Sequence, residues 1–266
     1  MLFARALGKP SILIIGGYDI AKMPEIGYGH QRGGIKKLIS RWTIRSATCL
    51  VTNSFYSQNE AVRNLQVLKE QVHVIYHGIP DPFGSLPGGP RVRMVLTVGD
   101  IDRSNLRRKG HESFVRAAAL MEEVEFVLVG LWKDDAIQYL RSIATPNVKF
   151  TGRLSDGALC DYYQKASVYV QASLHEGFGM SVAEAMLAGC IPVTTNVGAL
   201  PEVTGEYVVD VITPDPRIVA RAIEKAFGYP QATRALIRQR ILDKFPMEKR
   251  GRGLEQVINS LLSNVH

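Results

Sequence analysis

The sequence predicts an α/β fold in two units, a doubly wound domain over the longer later part and an incomplete α/β unit before it. Three observations lead there. From residue 93 onward, short apolar runs alternate with amphipathic stretches. A shorter alternation of the same kind precedes them. Between the two lies IPDPFGSLPGGP, residues 79–90, where Pro and Gly are dense enough to read as a linker.

In the first unit, SILIIGG, TCLVTNS and VHVIYHG read as strands, with helices around residues 32–46 and 55–66. In the second, RMVLTVG, VEFVLVG, NVKFTG, SVYVQAS and CIPVTT are continuous apolar runs of strand length, as expected of a parallel sheet covered on both faces. HESFVRAAALM, DAIQYLRSIA, GALCDYYQKA and MSVAEAMLAG fall between them and read as helices, the pattern of a doubly wound sheet. The last 35 or so residues read as helical. The division that follows is 1–78, a partial N-terminal unit; 79–90, linker; 91–245, an α/β domain; and 246–266, a C-terminal helix. Three strands and two helices make a thin first sheet with an uncovered edge, so a partner chain or a dimer contact is expected over it.

Composition narrows the class. With 266 residues, 46% hydrophobic and 21% charged, the chain has material for a core and is neither disordered nor collagen-like. Cys49, Cys160 and Cys190 are odd in number and far apart, which argues against a disulfide framework or a structural zinc site. No apolar stretch is long enough to span a bilayer, and the opening run Ile12–Ile15 is too short for a signal peptide, so a cytoplasmic location is expected. The net charge is 32 − 25 = +7, of which residues 1–89 carry 10 − 5 = +5. Arg32, Lys36, Lys37, Arg41 and Arg45 supply much of it, beside an apolar stripe of Ile35, Ile39 and Trp42. The stripe is expected to pack as an ordinary surface helix, with peripheral contact to an anionic membrane face as the alternative. No nucleic-acid recognition motif accompanies the charge.

The most informative stretch is HEGFGMSVAEAMLAGCIPVTTNVGALPEV, from His175 to Val203. Gly177 and Gly179 follow a predicted strand and precede a helix starting near Met180, so a ligand can approach the backbone where unpaired N–H groups favour phosphate. Glu176 sits before that helix and Glu184 one turn into it, where a carboxylate can accept from ribose hydroxyls. The layout suits a nucleoside diphosphate carrying a sugar.

The run E-G-F-G-x-x-x-A-E-A-M-x-x-G-x-x-P-V resembles the E-x7-E signature of the retaining GT-B glycosyltransferases of family 4. VGDIDRSNLRRKGHESFVRAA resembles that family's V-G-x…K-G segment, and VIYHGIP its hinge motif. The resemblance implies a GT-B-like fold, with a Rossmann-like C-terminal domain and a final helix returning to the N-terminal domain. It implies transfer of a sugar from a nucleotide donor, with retention, to an acceptor that is a glycan, a lipid or a small molecule. No metal and no separate cofactor are expected. Glu184 would bind the ribose and Glu176 the donor sugar, with the Gly177, Phe178, Gly179 and Met180 backbone facing that sugar. Met180 and Ser181 amides would hold the diphosphate, Lys109 would neutralise the leaving phosphate, and Gly152, Arg153 and Leu154 would flank the base.

Asp100 stands where the family usually carries Arg, and Arg103 is expected to substitute. Gly16 or Gly17 stands where its N-terminal domain carries an active-site His, and His30 is given no catalytic role. The alternative function is therefore a non-catalytic nucleotide-sugar-binding or partner module. Asp100-Ile101-Asp102 spells a D-x-D, but without the layout of the metal-dependent transferase fold. Gly177-Phe178-Gly179 fails as a dinucleotide fingerprint because its third position is Val182. Cys190 reads as a small buried apolar residue.

Overall fold

The computed structural model describes residues 4, 7–86 and 91–263. Residues 87–90 of the expected linker, 264–266 of the final helix, and 1–3 with 5–6 at the start lie outside the described residues. The chain forms two compact units, Met1–Gly78 with Phe245–His266, and Ile79–Lys244.

The first unit is a parallel sheet in the order β1 (Ile12–Ile14), β2 (Cys49–Thr52), β3 (Val72–Val74). Successive residues of a strand point to opposite faces, and β2 uses both. Leu50 joins Ile15, Ile20, Ile44, Ala61, Leu65 and Val72 on one side. Cys49 and Val51 join Ile75 and Val257 on the other, where the helix Met247–Ser263 brings Leu254 and Leu261 against them. The helix Phe55–Leu65 starts at Ser54, whose side chain accepts from the Ser57 amide at 3.0 Å.

The helix Gly34–Arg45 corrects one expectation. Its apolar stripe does not pack: Ile35 is 72% exposed and Trp42 52%, and Ile44 is its one buried residue. The three-stranded sheet is too narrow to cover the stripe, and Ile14 on the edge strand is left 51% exposed as well.

The second unit is a six-stranded parallel sheet. Its strands are β4 (Val92–Val98), β5 (Glu125–Val129), β6 (Val148–Gly152), β7 (Ala166–Gln171), β8 (Ile191–Thr195) and β9 (Val209–Val211). Their order is β6-β5-β4-β7-β8-β9. The chain therefore starts at the centre, builds outward on one side, then crosses to build on the other. The reversal falls between β4 and β7, where the connections leaving the strand ends separate and open a crevice. Every residue of β7 and β8 is buried, which explains their unbroken apolar runs.

Short elements escaped the sequence reading. The helix Arg103–Arg108 lies inside what reads as a charge run; Asp102 caps it, accepting from the Asn105 amide at 2.8 Å. The three-residue β9 and the helix Pro216–Phe227 complete the sheet's far side. Residues 79–86 are not a free tether: Arg238 pairs with Asp81 and donates to the Gly84 carbonyl at 2.9 Å and the Leu187 carbonyl at 2.7 Å.

Candidate functional site at the strand-order reversal

Two loops meet at the carboxyl ends of β4 and β7, and glycines let them approach. A Cβ on Gly110, at φ +74°, would lie 2.2 Å from the Ala172 carbonyl oxygen. The Leu174 amide donates to the Arg108 carbonyl at 2.8 Å and ties the loops together. A Cβ on Gly99 would lie 2.8 Å from Cδ of Lys109, so the bare glycine makes room for the lysine stem. Lys109 thereby reaches across from the first loop, its Nζ 3.7 Å from Oε2 of Glu176 on the second. Both are largely covered, at 19% and 15% side-chain exposure. Gln171, at the end of β7, donates to the same Glu176 oxygen at 3.3 Å.

A third loop, after β8, closes on Glu176 from behind. The Ala199 amide donates to the Glu176 carbonyl at 2.9 Å, and the preceding Gly198 presses against that carbonyl. Beyond Glu176, Gly177 and Phe178 are buried. Gly179, at φ +99°, then starts the helix Met180–Leu187 and offers its first-turn N–H groups no side-chain cap. Those groups have no intrahelical acceptor and carry the positive end of the helix dipole. The structure thus groups Lys109, Glu176 and the Met180–Ser181 helix start.

Glu184 follows one turn on, half-buried, its Oε2 accepting from the Tyr163 hydroxyl at 2.9 Å. Burial pushes its carboxyl above the usual range and Asp156 adds to this, while the Tyr163 hydrogen bond opposes both. Ser181 lies near both the Tyr163 and the Tyr169 hydroxyl. Tyr169 in turn bonds Gln171 Oε1 at 3.0 Å. Hydrogen bonds therefore tie Glu184 to Tyr163 on one side of the site, and Tyr169 through Gln171 to Glu176 on the other. None of the two tyrosines and the glutamine was foreseen, because their partners are close only across the fold.

Gly152 ends β6 at φ +74°, its carbonyl accepting from the Gly130 amide at 3.1 Å, with Arg153 exposed and Leu154 half-buried after it. Beside Gly152 stands Trp132, whose ring lies under the Arg141 guanidinium at 4.6 Å. Sequence reasoning missed it; an exposed aromatic just past a strand end was the available signal.

One position differs from expectation. Arg103 does not fill the place of the missing arginine: it is 74% exposed and its guanidinium grips Asp135 through two hydrogen bonds, one of 2.7 Å. Two aspartates after β5, Asp134 on its amide and Asp135 on its side chain, hold it there. Asp100 pairs with Lys133 at 2.6 Å. Burial pushes the Asp100 carboxyl up, but the Lys133 hydrogen bond and charge outweigh it and hold it below the usual carboxylate value. With Asp102 engaged as a helix cap, both acids of the D-x-D have other work. Among the described residues, no group of three or more His, Cys, Asp or Glu is placed to hold a metal ion.

His111 lies beneath the site, fully buried, its Nε2 3.3 Å from the Asp100 carbonyl. Burial, reinforced by Lys109, pushes its pKa down from 6.5 to about 3. Between those values the unfolded chain binds the proton and the folded chain does not. Stability is therefore lost as pH falls through that window, by at most about 1.4 kcal/mol per pH unit from this residue. Thermal denaturation at pH 7, 5.5 and 4.5 is expected to show a shallower acid loss for His111→Gln than for the parent. Equal slopes would contradict the assignment.

The strand order and the crevice at its reversal define a Rossmann-type α/β domain. Residues 92–228, just over half of the chain, match the family model described as glycosyl transferases group 1, and the chain belongs to that family. It is 27% identical over 173 residues to the serotype-specific mannosyltransferase WbdA of Escherichia coli, covering 62% of this chain and 19% of that protein. It is 27% identical over 215 residues to the MMP alpha-(1->4)-mannosyltransferase of Mycolicibacterium hassiacum, covering 75% and 51%. The chain thus spans about half or less of these relatives' lengths. Among solved structures, Anabaena HepE in complex with UDP and glucose superposes with a TM-score of 0.81 at 17% identity, covering 97% of this chain and 73% of that one. That likeness establishes the fold, GT-B. Among the described residues, no helix is long and apolar enough to cross a membrane.

Proposed function

We propose that residues 91–245 bind a nucleoside-diphosphate sugar and that the chain serves its transfer, with retention, to an acceptor hydroxyl. One observation carries this reading: a covered lysine–glutamate pair lies at the strand-order reversal, followed by a bare helix start and a second glutamate one turn on. In this reading the Met180 and Ser181 amides take the diphosphate, where the helix dipole favours negative charge. Glu184 accepts from the ribose. Glu176, anchored by Gln171 and the Ala199 amide, accepts from hydroxyls of the sugar. Lys109 meets the charge that grows on the departing phosphate. Gly152, Arg153 and Leu154 flank the base, with the flat face of Trp132 beside them. HepE, solved with UDP and glucose, and the two mannosyltransferases support a hexosyl donor without fixing the base. Arg103 is not included.

Two finer assignments belong with this reading. The first unit contributes on the acceptor side, and its exposed stripe beside Lys36, Lys37 and Arg41 is compatible with peripheral contact at an anionic membrane face or with a partner chain. The location proposed is cytoplasmic. A specific observation favours the non-catalytic alternative: by the resemblance Gly16 or Gly17 stands in place of the family's histidine and offers no side chain, and Asp19 accepts from the Gly16 amide at 3.3 Å. Hydrolysis of a nucleotide sugar or transfer of its sugar separates the two readings, since both predict binding.

Replacing Glu184 by Ala is expected to weaken donor affinity tenfold to a hundredfold, because hydrogen bonds to a charged group contribute ~1.5–3 kcal/mol. Titration calorimetry with UDP-, GDP- and ADP-sugars reads it directly. Equal affinities for the two proteins would refute the ribose assignment.

A further inference from the structure

Tyr163 and Tyr169 are among the largest fully buried side chains, their rings 6.2 Å apart and tilted. A tyrosine is rarely buried without a use for its hydroxyl. The Tyr169 hydroxyl donates to Gln171 Oε1 at 3.0 Å and accepts from the Val98 amide at 3.3 Å, and Ser181 lies near both phenols. Tyr163 donates to Oε2 of Glu184 at 2.9 Å. We propose that Tyr163 is a positioning residue that fixes the Glu184 carboxylate for a ribose diol and so sets the site's preference for ribonucleotides over deoxyribonucleotides.

The argument is one of acceptor geometry. A carboxylate offers about four acceptor sites on two oxygens. The phenol occupies one of them from the buried side, which orients the group and leaves Oε1 and the outer lone pairs for two adjacent hydroxyls. Without that bond a half-buried glutamate could turn freely, and two correctly spaced acceptors would no longer be ready for a diol. The surroundings make the phenol necessary. Glu184 is faced by Tyr163, Cys160 and Asp156 from the helix Asp156–Lys165 and by Tyr169 from β7. No cation stands among these groups. Burial also keeps the Tyr163 phenol protonated far above neutral pH, so it acts as a donor throughout the working range.

The inference rests on the ribose-binding reading of Glu184, and the experiment keeps the two apart. UDP, GDP and ADP are titrated beside their 2′-deoxy counterparts into the parent, Glu184→Gln and Tyr163→Phe, with melting temperatures recorded. The parent is expected to prefer the ribo form by about tenfold. Tyr163→Phe is expected to cut that preference below about threefold while leaving affinity for the deoxy form within about twofold. In a Glu184→Gln background it should have no further effect on the preference. If Tyr163→Phe weakens ribo and deoxy ligands alike, the tyrosine merely supports the fold and the inference is overturned. If the parent shows no ribo preference, or Glu184→Gln retains it in full, the ribose reading itself falls and takes the inference with it.

Should Tyr163→Phe fail to fold, 3-fluorotyrosine at position 163 keeps the ring and strengthens the donor. The ribo preference is lost as pH falls and Glu184 takes up a proton; the stronger donor is expected to move that midpoint to lower pH. An unmoved midpoint overturns the proposal.

Discussion

Lys109→Met is expected to lower turnover of a nucleotide sugar by about 10²–10³-fold while changing donor affinity less than tenfold, the pattern of a charge that acts mainly in the transition state. The methionine keeps the stem that lies against Gly99, where a Cβ would stand 2.8 Å from the lysine Cδ, so packing and melting temperature should hold. Only the ammonium is removed. In the resting site that ammonium sits 3.7 Å from Glu176, a distance that leaves it free to swing toward a departing phosphate. Arginine is not expected to rescue: its planar fork is bulkier than an ammonium, and the passage over Gly99 has no slack. The measurement is single-turnover hydrolysis or transfer with a range of donor concentrations. A variant with unchanged kcat and only a raised KM would reduce Lys109 to a ground-state contact.

Why this site was partly readable from sequence has a physical answer. The strands β4, β5, β7 and β8 are buried on both faces, so their apolar runs are continuous, and the glycine-flanked start of the Met180–Leu187 helix is a local signal. Glu176 and Glu184 inherit their placement from that start. What sequence did not show are contacts made across the fold. Tyr163 meets Glu184 from 21 positions away, and Arg103 meets Asp135 from 32. Arg103 was expected at the diphosphate because proximity along the chain suggested it; two aspartates after β5 compete for the same guanidinium and its amide, and in this structure they hold both. The exposed stripe on Gly34–Arg45 has a different cause. Helical spacing announces which face is apolar but not whether a sheet is wide enough to cover it.

Gly198→Ala should be among the most damaging single methyl groups in the second unit. Gly198 adopts φ +61°, a region that costs a residue with a Cβ about 1–2 kcal/mol on its own. Its added Cβ would also lie 2.2 Å from the Glu176 carbonyl oxygen and 2.9 Å from the Glu176 amide nitrogen, both backbone atoms that cannot rotate away. The clash is relieved only by moving the loop after β8 or by moving Glu176. Either way the hydrogen bond from the Ala199 amide to Glu176 breaks. Stability is expected to fall by on the order of 3 kcal/mol, and because Glu176 shifts against Lys109, turnover is expected to fall by about a hundredfold in whatever protein remains folded. Gly157→Ala is the matched comparison. Gly157 lies in the first turn of the helix Asp156–Lys165 with nothing within 4 Å of the added methyl, and Ala there is expected to stabilise by about 0.5–1 kcal/mol. Chemical denaturation of the two variants gives the stabilities, and calorimetry with a nucleotide sugar gives the site. Equal stability for Gly198→Ala and the parent would mean that the loop after β8 does not hold Glu176 from behind, and the acid's anchoring would then have to come from Gln171 alone.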